Sequence, residues 1–101
     1  MSKPLHAEDY AGFLRELRKA REDRGMTQED VAQAMGERQT YVSKVETGVR
    51  RLDIVELARW LAALQMTLSE FAPVLESALG AHDVLKPAAK ARRLRRPAGR
   101  A

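Results

Sequence analysis

Residues 27–48 read TQEDVAQAMGERQTYVSKVETG, and the fold turns on how this stretch is parsed. Thr27 stands three residues before Asp30, the spacing at which each side chain reaches the other's backbone N–H and closes a capping box. A helix is therefore predicted from Gln28 to about Met35, with Val31, Ala32 and Met35 on one side and the small Ala32 allowing a second helix to come close. Gly36 suits the left-handed residue that ends such a helix and turns the chain within three or four residues. In the helix that follows, Val42 and Val45 are the apolar pair spaced for burial. Gln39, Thr40, Ser43, Lys44 and Thr47 share the opposite side by i, i+3, i+4 geometry, and Gly48 closes the run.

Two short helices crossing through a tight turn form a helix-turn-helix. Its second helix displays amide, hydroxyl and ammonium groups, the side chains that hydrogen-bond base edges in a major groove wide enough for one helix. Polar residues also cover the outside of most helices, so this face taken alone favours a solvated surface.

The whole run says more than the face. Thr27-Gln28 opening the first helix, Ala32 inside it, the Gly36 turn, buried Val42 and Val45, and the closing Glu46-Thr47-Gly48 resemble the Cro and phage-repressor type of helix-turn-helix regulators, the Xre family. The resemblance extends over residues 10 to about 79 and includes an arginine, Arg21, at the family's position before the turn. It implies that Gln28 touches a phosphate and that Gln39, Thr40 and Lys44 reach bases, with Ser43 on the same face and Arg38 and Tyr41 flanking them. It further implies that Arg50 and Arg51, just after Gly48, face the phosphates. Glu46 is expected to pair with Arg21, tying the reading helix to the first helix, because a carboxylate close to phosphates needs neutralising. One departure stands out: where the family has an apolar residue and then a Ser or Thr cap before the recognition helix, this chain has Glu37 and Arg38. Neither is a preferred cap. Arg38 can donate to a phosphate, and the role of Glu37 stays open.

Charge is unevenly placed. The sequence pI is 9.9, yet residues 86–101 hold seven of the eighteen Lys and Arg and none of the fourteen acids, leaving eleven bases against fourteen acids in residues 1–85. A uniformly sticky nucleic-acid binder is not what this balance describes, so local placement carries the case. Between residues 38 and 51, Arg38, Lys44, Arg50 and Arg51 face only Glu46. The tail KPAAKARRLRRPAGRA, with Pro87, Pro97 and Leu94 as its only large apolar residue, is expected to be disordered. Its two readings are an arm following phosphates, which makes affinity fall steeply with salt, and a merely solvated end.

The chain of 101 residues, 45% apolar, fits one core. The expected division is a flexible start over residues 1–8, a helix-turn-helix domain over 9–80 and the basic tail over 81–101. Helix one is predicted over about Glu8 to Asp23, on the stripe Tyr10, Phe13, Leu14, Leu17 and Ala20, and Gly25 ends it. Asp53 and Glu56 cap a fourth helix running to about Gln65. Ile54, Leu57, Leu61 and Leu64 are expected to fill the core, with Trp60 most simply read as core as well. Thr67 and Glu70 cap a fifth helix striped by Phe71, Val74, Leu75, Ala78 and Leu79, in which Pro73 predicts a kink or a restart. This apolar surface exceeds what one small domain must bury. A twofold homodimer through Phe71, Val74, Leu75 and Leu79 is the natural use, presenting two readers about 34 Å apart; closure of the monomer core is the other.

Catalysis finds little support. With no cysteine there is no thiolate nucleophile and no cysteine-ligated zinc. His6 and His82 lie in the terminal segments, and no HExxH motif or Gly-rich phosphate loop is present. Ser43 and Lys44 are adjacent in sequence, which is not a hydrogen-bonded nucleophile and base. No cofactor or metal is expected. The start MSKPLHAEDYAG lacks an apolar signal core, and no run approaches the ~18 apolar residues of a membrane span, so a cytoplasmic protein is expected. The expectation is an all-α, five-helix, phage-repressor-like domain binding double-stranded DNA, most simply a repressor on a palindromic operator. The alternative is an antitoxin-type module on the same fold that binds a partner toxin and autoregulates its own promoter.

Overall fold

The computed structural model describes residues 7–80, which contain five helices: α1 (Ala7–Asp23), α2 (Gln28–Met35), α3 (Gln39–Glu46), α4 (Ile54–Ala63) and α5 (Leu68–Gly80). Residues 1–6 and the basic tail, with the disorder expected of it and both histidines, lie outside the described residues. Ala7, which the sequence places in the flexible start, belongs to α1, and the helix begins one residue before the expected Glu8; its first turn carries Glu8 and Asp9, charges that favour a helix N-terminus.

Local chemistry fixes three of the helix starts. At α2 the Asp30 N–H donates to Thr27 Oγ1 at 3.0 Å while the Thr27 N–H donates to Asp30 Oδ2 at 2.9 Å. The Asp53–Glu56 and Thr67–Glu70 pairs do the same for α4 and α5. Donation from the Thr27 backbone and side chain holds the Asp30 carboxyl below its ordinary value. Gly36 ends α2 at φ 73°, with the Glu37 N–H on Ala32 O at 2.8 Å and its own N–H on Gln33 O at 3.2 Å, the paired bonds of a Schellman ending. The end of α4 uses the same device without glycine. Gln65 takes φ 60°, and the Met66 N–H reaches Leu61 O at 2.9 Å. That left-handed residue stops α4 at Ala63, short of the predicted Gln65, at a cost of about 1–2 kcal/mol.

The core collects Leu17 from α1, Val31 from α2, Val42 and Val45 from α3, Trp60 and Leu61 from α4, and Phe71 from α5, all fully enclosed. Each such large apolar side chain contributes about 1.5–3 kcal/mol by leaving water. Helix α2 packs on both α3 and α4, while α5 lies against α1 and α4.

Two expectations about this core are corrected. Ile54 is 62% exposed. It sits on the stripe of Leu57, Leu61 and Leu64 but in the first turn of α4, past the edge of the core. Phe71, expected to face a partner, is fully buried with its ring edge-on to Phe13 at a centroid distance of 6.2 Å. The core uses it, and the partner-facing surface of α5 is left to Val74, 38% exposed, and the half-buried Leu75 and Leu79. Helix α5 runs through Pro73 as one continuous helix, with no restart.

Candidate nucleic-acid interface

Helix α3 is held from below by its apolar pair and from its C-terminal end by charge. Arg21, buried at the end of α1, clasps Glu46 with two hydrogen bonds, Nε to Oε2 at 2.6 Å and Nη2 to Oε1 at 3.1 Å, and donates Nη1 to Met26 O at 2.7 Å. The two side chains are 9% and 3% exposed. Planar, bidentate pairing of this kind fixes orientation as well as distance. Hydrogen bonding to Glu46 raises the Arg21 pKa above its ordinary value, so the guanidinium stays charged at every relevant pH. The expected scaffold pairing is thus present.

The network continues outward. Gln28 donates Nε2 to Glu46 Oε1 at 2.9 Å, and Gln39 donates Nε2 to Gln28 Oε1 at 2.6 Å. Glu46 only accepts, so Gln28 must turn its NH2 inward and its oxygen outward, and that oxygen takes one N–H of Gln39. Gln39 keeps its own oxygen and its second N–H for another partner. The geometry joins Gln28 and Gln39, one expected at a phosphate and the other at a base, into a single unit rooted in the α1–α3 ion pair.

The other expected contacts divide into free and engaged groups. Arg38, Thr40 and Lys44 are exposed, and none makes a side-chain hydrogen bond among the described residues. They line an open depression together with Tyr41, Arg50 and Glu37. Arg38 occupies the N-cap position of α3 without capping it, as the sequence implied. Ser43 is half-buried on the same helix. The Thr47 hydroxyl donates back to Ser43 O at 3.0 Å and to Lys44 O at 3.3 Å, so its proton is spent within α3.

Past Gly48, whose φ of 84° reverses the chain, the Arg50 N–H returns to Lys44 O at 3.0 Å and closes the end of α3. Both arginines of this loop lie over tyrosines. The Arg50 guanidinium is 4.9 Å from the Tyr41 ring centroid and that of Arg51 is 4.0 Å from Tyr10, whose hydroxyl also accepts the Leu52 N–H at 3.3 Å. Arg50 additionally donates Nη2 to Glu56 Oε2 at 2.8 Å. The two charges strengthen one another: the Arg50 pKa is raised by this bond and that of Glu56 lowered by it. Burial first, then the nearby Glu56 charge, pushes the Tyr41 hydroxyl up, so it remains a protonated donor at neutral pH.

Three arrangements escaped the sequence reading: the Gln28–Gln39 bond, the Arg50–Glu56 pair, and Arg59, which donates Nη2 to Met35 O at 3.0 Å and caps the end of α2 from α4. The two outer pairs join residues 11 and 6 positions apart, outside the local i, i+4 rules. Among the described residues no helix is long and apolar enough to cross a membrane.

Comparison with known proteins agrees with this geometry. A solved structure described as an XRE-family like protein from Pseudomonas syringae pv. tomato str. DC3000 is similar to this chain at 28% identity and a TM-score of 0.62, covering 82% of this chain and 93% of its own. Comparison with curated proteins finds no match. The helix-turn-helix family model HTH_3 matches residues 17–71, from the middle of α1 through α4 to the buried Phe71. The chain therefore belongs to the HTH_3 helix-turn-helix family, the DNA-binding regulators of XRE type.

Proposed function

We propose that this protein reads a specific sequence in double-stranded DNA through the outer face of α3 and represses transcription from a palindromic operator as a homodimer. The observation that carries the reading is the contrast across α3. Val42 and Val45 are sealed, whereas Thr40 and Lys44 stand open without partners among the described residues, and Gln39 is held by Gln28 with an acceptor and a donor still available. That free pair matches the N6 donor and N7 acceptor of adenine, the bidentate partner of a glutamine in the major groove. Lys44 suits the acceptors of guanine. Arg38, Arg50 and Arg51 supply contacts to phosphates, which place the protein without reading sequence.

A twofold dimer using Val74, Leu75 and Leu79 accounts for the apolar surface that α5 leaves uncovered, and it sets two readers on half-sites about 34 Å apart. The same uncovered surface also fits the antitoxin reading, in which a toxin takes the place of the second copy. Selection from random duplexes with the purified full chain tests the proposal. A symmetric site with half-sites one helical turn apart is expected, and no enrichment of any sequence at physiological salt would overturn it.

A further inference from the structure

Arg50 is the cation of the interface whose charge is already answered. Its Nη2 lies 2.8 Å from Glu56 Oε2, its Nη1 donates to Arg51 O at 3.0 Å, and its face rests on Tyr41. Glu56 divides its carboxylate between two tasks: Oε1 accepts the Asp53 N–H at 2.9 Å as part of the α4 cap, and Oε2 holds the arginine. Only the first belongs to the helix. Arg50 nevertheless lines the same depression as Arg38, Thr40 and Lys44, on the face that the DNA-binding reading turns towards a duplex. Its side chain is 44% exposed, so a phosphate can reach it, and a carboxylate stands beside it to be met.

We propose that Glu56 is an internal counter-ion of the DNA interface: it occupies Arg50 in the free protein, competes with a backbone phosphate for it, and so lowers affinity for every duplex irrespective of sequence. This rests on the DNA-binding reading above. Phosphate contacts dominate affinity and carry no sequence information directly, so a carboxylate placed on one of them restrains adhesion to arbitrary DNA and leaves base reading by Gln39, Thr40 and Lys44 untouched. Such restraint suits a domain whose residues outside the tail are acid-rich. Glu56 acts through Arg50 and is a positioning residue, with no base or phosphate of its own to touch.

The substitution Glu56→Gln isolates the effect, because glutamine serves the capping box equally well and its oxygen keeps the Asp53 N–H. Titration of the full chain on a random-sequence duplex across a salt series is the measurement, with the thermal midpoint of each variant recorded alongside. Glu56→Gln is expected to tighten binding about two- to fivefold, the range of one exposed ion pair. The dependence of log K on log salt should steepen by about 0.9, one further neutralised phosphate. In an Arg50→Gln background the gain should shrink towards none, since there is then no guanidinium to release. Binding that weakens or stays level in Glu56→Gln, with the wild type binding normally, overturns the proposal alone. Absence of duplex binding by wild type and variant alike overturns the DNA reading and the proposal with it. A gain of equal size with and without Arg50 also overturns it, since it reports only the removal of a negative charge.

Discussion

Helix α3 and the loop that follows it are held by two arginine–glutamate pairs that look alike on paper and differ in surroundings. Arg21–Glu46, at the root of the helix, has side chains 9% and 3% exposed; Arg50–Glu56, at its outer edge, has 44% and 23%. Burial decides what each pair can do. Neither partner at the root can be rehydrated if the other leaves, so that bond is part of the scaffold and passes its orientation through Gln28 to Gln39. At the edge, water and phosphate can both take the place of the carboxylate, so that bond is exchangeable.

The largest effect should come from breaking the root. Glu46→Ala strands a buried guanidinium, and urea unfolding is expected to show a loss of about 3–5 kcal/mol. A loss below about 1 kcal/mol would erase the distinction between the pairs. Next comes base reading. Lys44→Ala should relax selection at one base position by roughly 1–3 kcal/mol, and sequence selection on the variant would show an unchanged preference if Lys44 is not a reader. Gln28→Ala is expected to broaden the preference at the base met by Gln39 while sparing that of Lys44, because only the former is held by the amide chain. Smaller again, Arg51→Ala should weaken all duplexes alike and reduce the salt slope by about 1.

The mildest test is acid. The Glu56 carboxyl is held below its ordinary 4.5 by Arg50 first and by the Asp53 N–H second, and Asp30 is held below its ordinary 3.8 by Thr27. A lowered carboxyl pKa gives stability that is complete above the ordinary value and is lost as pH falls through the lowered one. Carboxyl NMR titration should therefore place each midpoint below the group's ordinary value, with the starts of α2 and α4 loosening only as pH falls through those lowered midpoints.

What could be read in advance follows from the range of each interaction. The caps at Thr27, Asp53 and Thr67 and the turn at Gly36 depend on residues three or four apart, and these were legible. The Arg21–Glu46 pair spans 25 positions and was accessible only through the family likeness. Helix α4 misled because apolar residues surround it. Periodicity could not say where the core ends, so Ile54 was assigned inside. On α5 one apolar stripe serves two purposes: Phe71 faces α1 while Val74 faces outward, a division set by the rotation of the helix on its neighbours. The Arg50–Glu56 bond was hidden because Glu56 already had a sufficient role as a cap.

The chain's single tryptophan, Trp60, is wholly enclosed, its indole N–H has no acceptor among the described residues, and the ring of Tyr41 on α3 lies at a centroid distance of 6.3 Å. Its intrinsic fluorescence is thus a built-in gauge of the centre of the molecule. Emission should lie well to the blue in the native protein, and excitation of Tyr41 should feed it across the α3–α4 seam. A probe with these properties separates a variant that has lost its grip on DNA from one that has lost its shape, with no label attached.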